Sequence, residues 1–464
     1  MASTLQDKQS SRKLMMLTEP IPGLIMKMAL PTIVAFLITS IYSLADTYFV
    51  SQWGNTSAAA TAATAAVSVN ASLDQIIMMA GSMLAIGANS YVARLLGARK
   101  EEHANRVLST AFFTAIGFGL VVLLLGTVFM RPMVRLLGAT DSCEQYAVDY
   151  ATYVLLVAPF MAANFVMNQC LRAEGSAMLS MVGMGVGGVL NCILDPIFIF
   201  NLDMGVAGAS LATAISKIVS FCILAYPYVT GRSMMRISLR LVKFSRDIVT
   251  EVTKVGSSSL FRNGFAVLAG ILLNKIAGNI SDSVLAGIGV CTKVMMFPFS
   301  IILGFGTGFQ PVVGFNWGAK RYDRVRESYR FSAWVAAIGS LVMAAVLAIF
   351  ADFVIGLFAE SDPEMMEIGA LAIRLQCLAL PVHAWVAVVN MYCAGLGDGR
   401  GALMLSTSRQ GSCFLPILYP VAWLFKAIGV AAVQALADIL SLALAIPILM
   451  RIQKKVAQAE KEAL

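Results

Sequence analysis

Apolar segments of about 20 residues or more recur along almost the whole chain, and short polar stretches separate them. A segment of this length is what a lipid bilayer requires of a helix that crosses it. The pattern predicts an all-α membrane protein with twelve transmembrane helices and almost no soluble part. The predicted helices lie near residues 24–50, 58–88, 105–130, 145–170, 178–201, 206–229, 250–277, 283–310, 328–352, 366–395, 402–424 and 427–451.

The composition supports this interpretation. Of the 464 residues, 58% are hydrophobic and 13% are charged, whereas soluble domains average about 25% charged residues. The apolar excess must therefore face lipid. Residues 1–27 are polar and basic, without an apolar core followed by a small-residue cleavage site. They predict a cytoplasmic tail rather than a signal peptide.

Basic residues are distributed unequally between the two sides of the predicted bundle. Of the 34 lysines and arginines, 26 fall in segments assigned to one side, with Arg172 and Arg409 among them. The opposite loops hold Arg131, Arg135 and Lys426. Because cytoplasmic loops carry the excess of positive charge, we expect a multi-pass protein of the cell membrane with both termini in the cytoplasm.

The two halves of the chain resemble each other at a nearly constant offset. The stretch from Gly87 to Lys100 recurs from Gly308 to Arg321, and Gly205-Val-Ala recurs as Gly429-Val-Ala. Paired bundles of this kind enclose a substrate path and open it to each side in turn. The predicted organisation is a tail over 1–23, a six-helix lobe over 24–231, a cytoplasmic linker over 232–249, a second lobe over 250–451 and a tail over 452–464.

Two aspartates inside apolar segments are the main functional candidates. Asp46 lies in the first predicted helix and Asp195 in the fifth. A carboxylate in hydrocarbon is costly, so it usually faces a cavity and handles ions or protons. Asn191 precedes Asp195 by four residues, on the same helix face. The pattern predicts a cation-coupled transporter; the alternatives are that Asp46 caps a helix end or that Asp195 pairs with Lys217.

The order and spacing of several motifs resemble the multidrug and toxic compound extrusion (MATE) family. These motifs include Asp46-Thr-Tyr-Phe-Val, Arg172-Ala-Glu-Gly, Asn191-Cys-Ile-Leu-Asp-Pro and Asn316-Trp-Gly-Ala. The similarity extends from Ala29 to the last predicted helix and is greatest to bacterial MepA-like members. It implies a V-shaped pair of six-helix lobes that exports drugs or other toxic organic compounds, driven by H⁺ or Na⁺.

The resemblance also implies roles for individual residues. Asp46, Asn191, Asp195 and Thr213 are expected to bind the coupling cation, and Pro31 is expected to let the first helix bend. No other cofactor or metal is expected. The coupling ion stays open at this point, because four oxygen donors suit Na⁺ while the two carboxylates alone suit a proton.

Several further polar residues are expected to line a substrate cavity: Tyr42, Asn164, Asn168, Lys217, Arg262, Lys293 and Asp438. In the second half, basic residues stand where many relatives carry acidic ones. The alternative hypothesis is therefore an exporter of anionic metabolites, or a flippase of lipid-linked substrates. Arg262 could instead extend toward a membrane interface.

The sequence gives no support to an enzyme or to an ATP-driven pump. It contains neither an HExxH motif nor a phosphate-binding GxxxxGK[ST] motif. The expected partners are a small organic substrate and membrane lipid. We expect a monomer that does not bind nucleic acid.

Overall fold

The computed structural model describes residues 2–52, 57–356 and 362–463, which form helices joined by short turns, with no strand in these three ranges. The α-helices are α1 (Ala2–Thr18), α2 (Ile21–Ser51), α3 (Ser57–Gly97), α4 (Glu101–Val128), α5 (Met130–Leu136), α6 (Glu144–Ala173), α7 (Ala177–Pro196), α8 (Gly205–Val229), α9 (Arg246–Ile280), α10 (Asp282–Gly318), α11 (Tyr322–Ile349), α12 (Ala351–Gly356), α13 (Pro363–Gly395), α14 (Gly399–Thr407) and α15 (Phe414–Ala463).

The transmembrane segments agree with the prediction. Within the described ranges, eleven stretches are long and apolar enough to cross a membrane, and the last of them, Gly399–Ala463, is 65 residues long. Lys426 interrupts that last stretch with a non-helical backbone (φ 49°, ψ −125°). Gly399–Ala463 therefore contains both the eleventh and the twelfth predicted helices. The predicted all-α membrane fold is confirmed.

Within the described ranges, three α-helices and one helix extension were not predicted. Helix α1 lies within the predicted tail 1–23, and the short helices α5 and α12 follow α4 and α11. Helix α15 continues to Ala463, through the predicted tail 452–464. These segments are too polar or too short to be recognised as membrane spans, so hydropathy alone could not identify them.

The helices pack into two groups of corresponding order. Helices α2, α3, α4, α6, α7 and α8 contact one another and form the first lobe, and helices α9, α10, α11, α13, α14 and α15 form the second. Helix α6 is buried along most of its length and packs against α3, α4 and α8. Its buried alanines, such as Ala151, Ala158 and Ala162, let the neighbouring helices approach closely, as small residues do in membranes.

The apolar surface outside the lobes faces lipid. Leu124 and Val128 on α4 and Trp334 and Leu341 on α11 are all more than half exposed. In a soluble protein a surface this apolar would promote aggregation. In a bilayer it is the surface that the acyl chains require.

The lobes meet along a seam formed by α2 and α3 of the first lobe with α9 and α10 of the second. Ser40 hydrogen-bonds to Ser300 (Oγ to Oγ 2.7 Å), and the Ser259 hydroxyl donates to Ser82 (2.8 Å). Toward the face that carries both ends of the chain, Arg94 donates to Glu251 (2.8 Å). The seam therefore closes the molecule at the face where both chain ends lie.

Two glycines allow the helices at this closed face to touch. A Cβ atom added to Gly97 would lie 1.9 Å from the carbonyl oxygen of Phe315, and one added to Gly318 would lie 1.9 Å from the carbonyl oxygen of Arg94. Gly97 and Gly318 are equivalent positions of the sequence repeat, 221 residues apart. The repeat has therefore placed the same backbone contact on both sides of the seam.

The connection between the lobes is attached to the first lobe. The backbone N–H groups of Arg236 and Lys243 donate to Asn105 Oδ1 (2.9 Å) and Thr110 Oγ1 (3.0 Å) on α4. Helix α9 begins at Arg246. Of the predicted linker 232–249, the part before Phe244 is thus attached to the first lobe, and Phe244 and Ser245 lead directly into α9. Asp247 in the first turn of α9 lies 3.1 Å from His103 of α4.

Candidate functional site

Three of the four predicted cation-site residues meet where α7 and α8 adjoin. The Asn191 amide donates to Asp195 Oδ1 and to Thr213 Oγ1, both at 3.2 Å. All three side chains are buried, and Asp195 has no solvent exposure. Asp195 precedes Pro196, after which the chain continues as a π-helix over Ile197–Asn201. Wider helical turns of this kind occur frequently at functional sites.

Asp46 reaches the same cluster through a tyrosine that was not predicted. The Tyr150 hydroxyl donates to Asp46 Oδ2 in a long hydrogen bond of 3.5 Å, and Thr213 lies next to the same hydroxyl. Ser210 holds the Tyr150 backbone by donating to its carbonyl oxygen (2.5 Å). The sequence provided only a general indication that Tyr150 belongs to the site, because a tyrosine inside an apolar helix needs a partner for its hydroxyl.

Several oxygen atoms of this cluster are buried without a hydrogen-bond partner within the described residues. They are Asp46 Oδ1, Asn191 Oδ1 and Asp195 Oδ2. An unsatisfied buried acceptor costs about 1–3 kcal/mol, and more when it is charged. A hard cation takes oxygen ligands of these types, and a proton would convert a carboxylate into a donor. The donor set thus fits either coupling ion.

A third carboxylate was missed by the sequence analysis. Asp74 on α3 lies close enough to Asp46 and Lys217 to interact electrostatically with both, and its Oδ1 atom is also buried and unpartnered among the described residues. The same criterion that identified Asp46 would have identified it, because Asp74 also stands inside a predicted transmembrane segment.

Lys217 bonds to Tyr42 and not to Asp195, the partner considered for it in the sequence analysis. Its ammonium donates to the Tyr42 hydroxyl (3.0 Å) and lies 5.0 Å from the centre of the Tyr42 ring. The alternative in which Lys217 pairs with Asp195 is therefore not the arrangement found. Lys217 joins Tyr42, and both were predicted to face the cavity.

The two predicted asparagines of α6 make contacts within the first lobe. Asn164 donates to the Lys217 carbonyl oxygen on α8 (3.1 Å), and Asn168 donates to the Ser180 carbonyl oxygen on α7 (3.2 Å). Both hydrogen bonds fix α6 to its neighbours. The Asn164 Oδ1 atom is buried and has no partner among the described residues.

In the second lobe, Asp438 pairs with Arg409, which the sequence analysis had counted among the cytoplasmic residues. Arg409 donates to Asp438 Oδ1 (2.9 Å), and its guanidinium lies 3.9 Å from the centre of the Phe299 ring. His383 Nδ1 is 3.8 Å from the same carboxylate oxygen. Counting Arg409 with the cytoplasmic residues was wrong, because it lies in the π-helix Ser408–Ser412, inside the membrane segment that begins at α14. The predicted helix 402–424 already contained Arg409, so the error arose in the count of charged residues and not in the hydropathy pattern.

Arg262 lies on the interior face of α9, whereas the Lys293 side chain on α10 is exposed. Arg262 is three residues after the buried Ser259 and seven before the buried Ala269, hence on the interior face of α9. Lys293 is seven residues, two turns, before Ser300 of the seam. Among the bonds of the described residues, neither Arg262 nor Lys293 reaches Arg409 or Asp438, so the two cations stand apart from that pair.

Comparisons with known proteins identify relatives over the whole fold. The MatE family matches residues 31–197 and 259–419. The multidrug export protein MepA of Staphylococcus aureus (strain MSSA476) is 27% identical over 413 residues, which are 89% of each chain.

Solved structures of transporters have the same fold as this chain. An outward-facing multidrug resistance MATE family transporter of the MOP superfamily superimposes with a TM-score of 0.88 at 24% identity, over 97% of this chain and 98% of its own. A MOP superfamily transporter from Pyrococcus furiosus, described as having a binding pocket of reverse polarity that suggests a different function, gives 0.85 at 25% identity, over 96% and 98%. The predicted family and fold are confirmed.

Proposed function

The chain belongs to the MatE family, and from that premise we propose that it is a secondary active exporter of drugs or other toxic organic compounds, coupled to H⁺ or Na⁺ and working by alternating access. The multidrug export activity named for MepA supports the substrate class. Within the proposal the protein transports its substrate unchanged and is not an enzyme.

The observation that carries this proposal is the buried oxygen cluster of the first lobe. Asp46, Asn191 and Asp195 each leave one buried oxygen atom without a partner among the described residues. A protein that did not bind an ion here would have no reason to keep such costly groups in a membrane. Thr213 and Tyr150 complete the polar lining. We assign the coupling cation to this cluster.

Helix α2 connects the cluster to the seam between the lobes. It carries Asp46, and six residues earlier, about 9 Å along the helix axis, it carries Ser40, which bonds to Ser300 of the second lobe. Pro31 lies in the same helix and removes one backbone hydrogen bond, which favours bending. We propose that a change of charge at Asp46 reaches the seam through α2, with Pro31 as the point of bending.

The decisive test is transport by purified protein in liposomes. We expect dye export driven by a pH gradient or by a Na⁺ gradient, and an Asp195→Asn rate lower by about tenfold to a hundredfold, as the loss of one charge-assisted contact implies. Each gradient is imposed separately, so that the ion that drives export is identified directly.

Asp149→Asn is the matched control for this test. Asp149 lies on α6 of the same lobe and accepts a hydrogen bond from Gln145 at the exposed surface, so its loss should leave export near the parental rate. Equal export by the parent and by Asp195→Asn would contradict the assignment of the cation site.

A second candidate function differs in the charge of the substrate. Arg262 on the interior face of α9 and Lys293 near the seam place positive charge in the second lobe, with Asp438 already paired to Arg409. The related Pyrococcus furiosus transporter is described as having a pocket of reverse polarity. These observations favour an anionic or zwitterionic compound over a simple lipophilic cation.

Arg262→Gln tests this second function. If Arg262 binds an anionic substrate, the concentration for half-maximal export of a fluorescent anion should rise by about tenfold, since a hydrogen bond to a charged group contributes about 1.5–3 kcal/mol. Export of ethidium should change little. Lys275→Gln, on the exposed side of α9, is the control. Strong ethidium export with no export of anions would reject this candidate.

A further inference from the structure

The amino-terminal helix α1 contacts both lobes at their closed face. It lies in the segment predicted to be a simple tail, yet Met16 near its end is fully buried. Its polar contacts divide into two sets, one to the first lobe and one to the second. A segment that joins two moving bodies constrains their motion, so each set of contacts bears on how the lobes separate.

Contacts to the first lobe centre on a buried carboxylate. Arg12 donates to Glu174 Oε1 (3.1 Å), and the Glu174 side chain has no solvent exposure. Glu174 also accepts from Ser176 (2.8 Å), from Ser233 (2.6 Å) and from the Met234 backbone N–H (2.7 Å). A second ion pair joins Lys13 of α1 to Glu101 at the start of α4. This side of α1 is held by charge at two points.

The described polar contacts to the second lobe involve Arg324 and Asn316. Arg324 on α11 is buried and donates to the carbonyl oxygens of Met16 (3.4 Å) and Glu19 (2.8 Å). Asn316 near the end of α10 donates to the Met16 carbonyl (3.3 Å) and accepts from Arg324 (3.0 Å). A cationic side chain on the last carbonyls of a helix is a favourable cap, here supplied by the opposite lobe.

The two sides are unequal. The first-lobe side has two ion pairs and continues directly into α2, which belongs to that lobe. Among the described side chains, the second-lobe side consists of hydrogen bonds to backbone carbonyls, without an opposite charge. When the lobes separate at this face, the second-lobe contacts are the ones that must break.

We propose that α1 is a strap that moves with the first lobe and holds the closed face shut by docking on Arg324 and Asn316. This inference rests on the alternating-access part of the proposed function. The strap adds to the stability of the conformation closed at this face, and its release accompanies opening toward the side that carries the chain ends. The fraction of molecules in which α1 is docked on the second lobe thereby sets the ratio of closed to open conformations.

The experiment measures the distance between the lobes with spin labels and needs neither substrate nor coupling ion. Glu102→Cys on α4 and Glu327→Cys on α11 are exposed positions on the two lobes. Cys192 and Cys222, which are not fully buried, are first replaced by alanine. We expect Arg324→Ala to shift the distance distribution toward longer values and to raise the ratio of open to closed molecules by about tenfold, as loss of charge-assisted hydrogen bonds implies.

Arg326→Ala is the matched control. Arg326 follows Arg324 by two residues but pairs with Glu460 of the same lobe (2.6 Å), so its removal changes the charge without touching the strap. Arg12→Ala, on the other side of the strap, should open the face as Arg324→Ala does, and Arg324→Lys should restore part of the closed population.

Two results would overturn the proposal that α1 is a strap. One is a distance distribution in Arg324→Ala that equals that of the parent, in protein whose helical circular dichroism is unchanged. The other is an equal shift in Arg326→Ala, which would reflect surface charge alone. Both are read from distances and not from transport, so a failure of the strap is separate from a failure of the export function tested with Asp195→Asn.

Discussion

Replacing Gly97 with alanine should abolish most transport while leaving the protein folded. The new Cβ atom would lie 1.9 Å from the carbonyl oxygen of Phe315, a distance that neither backbone can accommodate without moving. Because the contact lies in the seam between the lobes, the lobes must separate there. The conformation closed at this face would then no longer form. We expect the export rate to fall by at least about tenfold, which corresponds to about 1.4 kcal/mol.

Gly318, the equivalent glycine of the sequence repeat, allows the same prediction to be tested independently. Gly318→Ala would place a Cβ atom 1.9 Å from the Arg94 carbonyl oxygen, across the same seam. We expect it to reproduce the Gly97→Ala defect and to lengthen the distance between labels at positions 102 and 327. Alanine is otherwise a better helix former than glycine by about 0.5–1 kcal/mol, so a loss of yield is not expected.

Gly270→Ala is the control for both variants. Gly270 lies on α9, and an added Cβ atom there has nothing within 4 Å. It should export at the parental rate. Full activity of Gly97→Ala and Gly318→Ala would show that closure of this seam is not required for transport.

Removing the carboxylate of Asp438 should destabilise the protein by about 3 kcal/mol, because it leaves the Arg409 guanidinium unpaired inside the membrane. Arg409 donates to Asp438 Oδ1 at 2.9 Å, and the Asp438 side chain is only 4% exposed. The measurement is thermal unfolding of Asp438→Ala in detergent, followed by circular dichroism.

A double replacement distinguishes the pair from a simple loss of packing. In Arg409→Met with Asp438→Leu, both charges are removed together, and apolar groups can fill their volume, so most of the stability should return. The control is the exposed pair of Arg374 and Asp352 (2.6 Å), whose side chains are 47% and 59% exposed. Asp352→Ala should cost less than about 1 kcal/mol. An Asp438→Ala protein as stable as Asp352→Ala would contradict the structural role of the buried pair.

The cation site illustrates how far local spacing can be used. Asn191 and Asp195 are four residues apart, and a helix places them on one face wherever it is located; the structure indeed joins them by a hydrogen bond. Asp46 was identified by its position inside an apolar segment, and Thr213 came from the family resemblance. The closeness of both residues to the pair depends on the packing of helices that are distant in sequence. Their role as cation ligands stays a prediction.

The contacts of Tyr150 and Arg409 were missed for the same reason. Tyr150 connects Asp46 to Thr213, and Arg409 pairs with Asp438, but each partner is far away in the sequence. Spacing carries no information about contacts between helices that are separated by more than a hundred residues or by an intervening helix. Asp74 differs, because its position inside an apolar segment was visible in the sequence and was overlooked.

The membrane class, the number of long helices and the duplication could be read from the amino-acid pattern, because a bilayer fixes the length and polarity that every crossing segment must have. The sequence also supplied the motifs that identify the family. The contacts between polar groups required the folded structure: Lys217 bonds to Tyr42, Gly97 and Gly318 allow the seam to close, and α1 bridges both lobes. Hydropathy is a property of each segment alone, whereas these contacts depend on how helices distant in sequence are arranged around one another.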